Sequence, residues 1–411
     1  MTNTPSKKLS RVTAAILTIA FLGFVFAAFF TMLIGSYPAL RKSVQLTPEL
    51  QKTLPEHPDP LDKLSARINS FTAAISENMW LKEGMGYINS GFQYALGKKV
   101  INTGSQNMIT LTTGHLYDLA DYKDLEGNAL DIVAQRDSAL AGIPFLFTYE
   151  HPTLYDAAML PAGYEALDHS AQMADEVLAT LRQHDVRVLD SRDVLPASGY
   201  PLEKLLMVTD QHWSTLAAIT MARAITGELS DMTGAPLDAT LLDPDGLQTL
   251  VHEKLFMGKY GQRVGPGIVD PDDIVEYWPA YPTRVSRDSR RGKDAEDHLS
   301  GEFREVMTRL DRLEPEAGRT WNTYAYTYYG QVEDYDIMVN PDAPDFTVMV
   351  LKDSYSAPIA RFLSLVAGRV VAVDLRKDVE PLEWWVEQYR PDAVVMAYSL
   401  QMLRDDDYQF G

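Results

Sequence analysis

What this chain can fold into is limited most by a series of short apolar runs that carry no charge and do not alternate. Residues 143–149, 346–351, 370–373 and 393–396 are of this kind. A strand with one face in water alternates apolar and polar side chains, whereas a strand covered on both faces does not. Segments of helical periodicity lie among these runs at 164–184, 358–367 and 381–389, and a further short strand is expected at 186–189. Strands and helices in alternation specify an α/β fold, a mostly parallel sheet with helices on both faces. Ahead of it, 64–96 reads as mostly helical and amphipathic, and 100–101 and 108–111 as short strands. Between about 231 and 340 the pattern is irregular, with Gly261, Gly265, Gly267 and a charged stretch over 284–319. An insertion or lid is expected there, with one helix over 301–313.

The N-terminus carries an apolar run of a different length. Residues 12–34 contain no charge and no proline, and about 20 apolar residues cross the hydrocarbon core as a helix. Lys7, Lys8 and Arg11 precede the run, while Arg41 and Lys42 follow it several residues on. The leading positive charges favour a cytoplasmic N-terminus with the bulk of the chain outside. A cleaved signal peptide has a shorter apolar core, about 7–15 residues, and a small-residue cleavage site. Gly35-Ser36-Tyr37-Pro38 is not a clear one. The expected organisation is a cytoplasmic tail at 1–11, a transmembrane anchor at 12–34, a proline-dotted spacer at 35–63 and an extracytoplasmic domain at 64–411, with the insertion at about 231–340. The chain has no cysteine, which removes disulfides, thiol catalysis and Cys-based zinc sites. A net charge of −20 would repel nucleic acid and anionic lipid headgroups.

Two motifs offer chemistry. Thr209-Asp210-Gln211-His212-Trp213-Ser214 places a carboxylate and an imidazole two residues apart. In an extended segment such side chains point the same way, so Asp210 can fix the imidazole tautomer and stabilise its charged form. Ser214 is a good N-cap for a helix over 215–229. Lys352-Asp353-Ser354-Tyr355-Ser356 puts Ser354 directly after the run at 346–351, at the carboxyl edge of the sheet where sites form. Neighbouring backbone N–H groups at the start of the next helix can stabilise an oxyanion. Hydroxyl, imidazole and carboxylate are the three groups of an acyl-transfer triad.

Each motif alone also has a plainer reading. Asp353 and Ser354 suit a helix cap, and an isolated Asp-x-His is commonly a structural histidine beside a capping aspartate. A mixed oxygen and nitrogen metal site from Asp210, His212 and Asp353 is a third reading. The other histidines, among them His115, His151, His169 and His184, show no clustered ligand spacing. Gly261-Gln262-Arg263-Val264-Gly265 lacks the strand-to-helix context and the Lys-Ser/Thr of a phosphate loop.

Taken together, the two motifs resemble those of the bacterial DHHW proteins and the wider group of alginate O-acetyltransferase AlgJ/AlgX-like SGNH hydrolases. The Asp-x-His-Trp segment is here Asp210-Gln211-His212-Trp213, and the later Asp-Ser-Tyr segment is Asp353-Ser354-Tyr355. The histidine comes first, 142 residues before the serine, the order that marks this group. Softer similarities at Tyr260-Gly261-Gln262-Arg263-Val264-Gly265, at Asp374-Leu375-Arg376 and at 390–395 extend the likeness over roughly 75–411. The resemblance implies an SGNH-hydrolase-like (flavodoxin-like) domain, with Ser354 as nucleophile, His212 as base and Asp210 as its orienter, and no cofactor or metal. It implies an O-acyltransferase, in the first instance an O-acetyltransferase, modifying a cell-surface or secreted polysaccharide through an acyl-serine. It also implies a multi-pass membrane O-acyltransferase as acyl donor, since acetyl-CoA is not available outside the cell. An esterase on the same triad and a non-catalytic glycan-binding or assembly protein are the alternatives. Gln211 stands where the name-giving motif has histidine, and Lys352 replaces the glycine of Gly-Asp-Ser. No counterpart of the SGNH asparagine is visible, which leaves the second oxyanion donor unassigned.

Overall fold

The computed structural model describes residues 82–404 apart from 104–105, 155 and 293–295, together with Gly23 and Phe26. It divides into two units, Met1–Asn89 and Ser90–Gly411. The expected tail, anchor and spacer, and the helical stretch before residue 82, lie outside the described residues except at Gly23 and Phe26. No helix among the described residues is long and apolar enough to cross a membrane. The first long described helix is α1, Lys82–Ala95.

A small antiparallel sheet follows, β1 (Val100–Asn102), β2 (Asn107–Thr110) and β3 (Leu116–Asp118), in that spatial order. The chain then builds α2 (Glu126–Asp137), β4 (Phe145–Glu150), α3 (Ser170–Gln183), β5 (Arg187–Asp190) and α4 (Thr215–Thr233). The expected helix over 164–184 begins only at Ser170, because the Asp168 carboxylate accepts the Ser170 N–H at 3.0 Å and closes a turn there. Helix α4 starts where the sequence places it. Ser214 Oγ accepts the Ala217 N–H at 3.3 Å, and the helix ends on Gly234 at φ 73°, the left-handed cap that glycine tolerates.

The segment expected as an insertion or lid is strand-rich. It holds β6 (Leu247–Phe256), α5 (Lys259–Val264), β7 (Asp272–Pro279), β8 (Val285–Arg290), β9 (Glu296–Gly301), α6 (Phe303–Met307) and β10 (Tyr335–Val339). β6 and β7 form a separate antiparallel pair, whereas β8, β9 and β10 join the main sheet. The charged stretch is therefore not a lid but the edge of the sheet, and the helix expected over 301–313 is the single short α6. The regular pattern returns with β11 (Thr347–Lys352), α7 (Ala357–Leu363), β12 (Arg369–Val373), α8 (Leu382–Tyr389) and β13 (Ala393–Ser399).

The main sheet has eight strands in the order β5-β4-β13-β11-β12-β10-β8-β9. β5, β4, β13, β11 and β12 run parallel, and the three strands beyond β12 pair antiparallel. The unbroken apolar runs split by residue parity between two cores. Leu146, Val348, Val350, Val370, Ala372 and Val395 pack on the face covered by α4 and α7. Phe147, Met349, Leu351, Val371, Val394 and Met396 pack on the face covered by α2, α3 and α8. Burial on both faces is the reason these runs do not alternate.

Candidate active site

The loops at the carboxyl ends of β4, β11 and β13 form one rim of the sheet, where open parallel sheets carry their sites. Ser354 leaves that rim two residues after β11, in a tight turn leading to α7. Asp353 builds the turn. Its Oδ1 accepts the N–H groups of Tyr355 (2.8 Å) and Ser356 (3.3 Å), and its Oδ2 accepts the Ser399 N–H (2.9 Å) and hydroxyl (2.6 Å) at the end of β13. Ser356 Oγ donates to Ala397 O at 3.0 Å. The end of β11 is thereby tied to the end of β13. Asp353 thus serves the turn and does not join Asp210 and His212, and no three such groups are placed to hold a metal ion among the described residues. The expectation that N–H groups following Ser354 serve an oxyanion also fails, since Asp353 already occupies those of Tyr355 and Ser356. The Ser354 N–H makes no hydrogen bond to the described residues.

The second motif lies between a short helix, Leu202–Leu205, and α4. No strand leads into it; a single bridge pairs Leu206 with Trp213. Asp210 and His212 meet through a turn and not through an extended segment. Asp210 Oδ1 accepts the His212 backbone N–H at 3.0 Å and lies 2.5 Å from its ring Nδ1, the Asx geometry that short carboxylates favour. The Lys259 N–H at the start of α5 donates to Asp210 Oδ2 at 2.7 Å. Burial pushes the Asp210 carboxyl up, but the His212 charge and the hydrogen bonds from His212 and Lys259 outweigh it and hold the group below its ordinary value. An ionised Asp210 fixes the proton on Nδ1. The free Nε2 then faces Ser354 Oγ at 2.8 Å.

Backing for Asp210 comes from the Tyr260–Gly265 region singled out in the sequence, which is helix α5. The backbone there approaches so closely that a Cβ on Gly258 would stand 2.3 Å from Asp210 Cβ. Thr209 bridges the two parts: its Oγ1 accepts the Gly258 N–H at 2.8 Å and donates to Asp272 Oδ2 at 2.5 Å. Asp272 also accepts the N–H groups of Val208 and Thr209, each at 2.8 Å. Burial lifts its carboxyl to about 6 against those hydrogen bonds.

The His212 ring packs on Tyr326, centroids 4.8 Å apart and 19° from parallel, and on Tyr355 at 4.7 Å. Trp213 Nε1 donates to Tyr355 O at 3.1 Å, and Tyr355 OH donates to Gln211 O at 2.7 Å. Beside Ser354 is a hollow of about 10 Å³ bordered by His212, Trp213, Tyr326, Gln331 and Tyr355, room for about one water-sized group. Of the other histidines, His115 bonds Thr113, and buried His151, lowered to about 4 chiefly by desolvation, touches Trp213 edge-on. Lys259, Asp272, Tyr326 and Gln331 were not legible as site residues; of these, only Lys259 lies next to a motif the sequence suggested.

A serine hydroxyl, an imidazole and a buried carboxylate in hydrogen-bonded line is the arrangement needed to deprotonate serine for attack on an acyl carbon. With the mostly parallel sheet, it makes an α/β domain in which the histidine precedes the serine. No family sequence model matches the chain, and no curated protein matches it by sequence. Solved structures do. A DHHW family protein from Eubacterium siraeum matches at TM-score 0.58 and 16% identity, over 76% of this chain and 96% of that one. Bacillus cereus PatB1, in a structure with a sulfonyl adduct, matches at TM-score 0.60 and 15% identity, over 75% of this chain and 99% of that one. The O-acetyltransferase domain of Pseudomonas putida AlgJ matches at TM-score 0.41 and 13% identity, over 72% and 91%. This chain shares the fold of the DHHW protein and PatB1, as the paired motifs implied.

Proposed function

We propose that the protein is an O-acyltransferase, in the first instance an O-acetyltransferase, that modifies a cell-surface or secreted polysaccharide through an acyl-Ser354 intermediate. The observation that carries this reading is the line Asp210–His212–Ser354, with spacings of 2.5 and 2.8 Å. The small hollow beside Ser354 favours a short acyl group.

In the first half-reaction Ser354 Oγ attacks the acyl carbon of the donor while its proton passes to His212 Nε2. Asp210 stabilises the imidazolium. The tetrahedral intermediate collapses, and the departing oxygen of the donor takes the proton from His212. In the second half-reaction a sugar hydroxyl gives its proton to His212 and attacks the acyl carbon. The tetrahedral intermediate collapses, the bond to Ser354 Oγ breaks, and Ser354 Oγ takes the proton back from His212.

The apolar run at 12–34, with basic residues before it, supports a membrane anchor and an extracytoplasmic domain. That address calls for an acyl donor on the outer face, in this reading a multi-pass membrane O-acyltransferase.

The test uses the full chain in detergent with p-nitrophenyl acetate and an added oligosaccharide. Mass spectrometry is expected to find an acetyl group on Ser354 and then on the sugar. Hydrolysis that added sugar never diverts would make the protein an esterase. Full turnover by Ser354→Ala would refute the triad.

A further inference from the structure

Acyl transfer at Ser354 requires two donors for the carbonyl oxygen as it becomes an oxyanion. The Ser354 N–H can supply one, and Asp353 consumes those of Tyr355 and Ser356. The geometry points to the Gln331 carboxamide as the second donor, held beside the nucleophile by Lys352; this rests on the acyl-transfer reading of Ser354.

Gln331 borders the same hollow as Ser354 and His212. Its Oε1 is buried with no partner, and its amide N–H groups make no hydrogen bond to the described residues. Buried polar groups are almost always satisfied. The buried atom here is the acceptor end of an amide that no hydrogen bond holds, so a half-turn of the carboxamide brings Nε2 to the same place as a donor. Other polar groups around the hollow are committed. Trp213 Nε1 bonds Tyr355 O (3.1 Å), Tyr328 OH donates to Val275 O (3.0 Å) and also meets Thr215 Oγ1, and His212 is the base. The Tyr326 ring lies on His212, and its hydroxyl is the remaining competitor.

Lys352 supplies a reason for the placement. It is the last residue of β11 and fully buried. Its Nζ donates to Glu333 O at 2.7 Å and Gly330 O at 3.4 Å, the carbonyls on either side of Gln331. Gly330, at φ 84°, supplies the left-handed residue on which the chain turns into Gln331. One side chain thus fastens the Gln331 loop to the strand that presents the nucleophile. A glycine at 352, as in Gly-Asp-Ser, would have nothing to reach that loop. When Ser354 Oγ bonds to the acyl carbon, the carbonyl π pair moves onto oxygen, which accepts from the Ser354 N–H and from Gln331 Nε2. When the leaving oxygen departs with the His212 proton, the pair returns to the carbonyl.

The test is steady-state turnover of p-nitrophenyl acetate by the full chain in detergent, with a small alkylboronic acid as tetrahedral mimic. Gln331→Ala is expected to lower kcat about 10²–10³-fold, to change KM by less than about threefold, and to weaken the boronate by the same factor as kcat. If Lys352 acts through Gln331, the double variant of Lys352→Met and Gln331→Ala is no slower than Lys352→Met alone. Additive losses would remove Lys352 from the proposal. Gln331→Ala within threefold of wild type, while Ser354→Ala is dead, overturns the role of Gln331 and leaves the triad standing. A large loss in Tyr326→Phe with none in Gln331→Ala moves the donor to Tyr326 and likewise overturns it. Wild-type chain that neither turns over the ester nor labels at Ser354 with a sulfonyl fluoride sinks the acyl-transfer reading and this inference with it.

Discussion

Trp213 and Tyr355 are the residues that follow His212 and Ser354, and they are bonded to one another's segments: Trp213 Nε1 donates to Tyr355 O, and Tyr355 OH donates to Gln211 O. The clamp holds His212 and Ser354 in register, and the Tyr355 ring also packs on the imidazole. Trp213→Phe removes its first half and leaves a buried carbonyl unpaired, at a cost of about 1–3 kcal/mol. A fall in melting temperature together with a drop in kcat is expected. A variant as stable and as fast as wild type would show that the clamp does nothing.

Gly258→Ala tests the back of the site. The added methyl would overlap Asp210 Cβ, its Oδ2 at 2.6 Å and Thr209 O at 2.6 Å, two of them backbone-tethered atoms with nowhere to move. Displacing a catalytic group by about 1 Å costs on the order of 10²-fold in rate. Ester turnover is expected to fall by at least that much while circular dichroism reports a folded chain.

Asp210→Asn keeps the shape but reverses the hydrogen bond to Nδ1, which favours the wrong tautomer of His212. If the site works as proposed, the loss expected by comparison with known serine triads is about 10⁴-fold in kcat.

Glu150 gives a pH signature of stability. It ends β4, and neither carboxyl oxygen has a partner. Burial, with a smaller push from Asp353, raises its pKa well above 4.5. The folded state keeps a proton that the unfolded chain releases from about pH 4.5 upward. Its contribution is therefore complete below that pH and is lost as pH rises through the folded value. Glu150→Gln cannot ionise and escapes this loss. Melting temperatures of the two proteins should agree near pH 4 and separate in favour of the variant by pH 8. Parallel curves over that range would contradict it.

The parallel half of the fold was legible because strands buried on both faces leave short unbroken apolar runs, and here those runs alternate with segments of helical periodicity. Ser354, His212 and Asp210 were legible for a similar reason: each lies where a motif and an element boundary coincide. The antiparallel edge was not. In β8 the inward face is Val285, Arg287 and Ser289, so a fully buried arginine stands where alternation calls for an apolar residue. The stretch then reads as solvated charge and suggests a lid. Helix α2 escaped notice because only Ala129, Ile132 and Val133 are buried on it and its N-cap residue is Leu125, whose side chain cannot cap. Gln331 carried no signal at all, since its relation to Ser354 exists only through the reach of Lys352 across the fold.

β13, the last strand among the described residues, is inserted between β4 and β11. During translation the two halves of the sheet therefore have no common partner until β13 itself has emerged, and Ser399, the anchor of Asp353, comes at its far end. A chain stopped before β13 would carry Asp210, His212 and Ser354 and yet lack the strand that anchors the Asp353 turn.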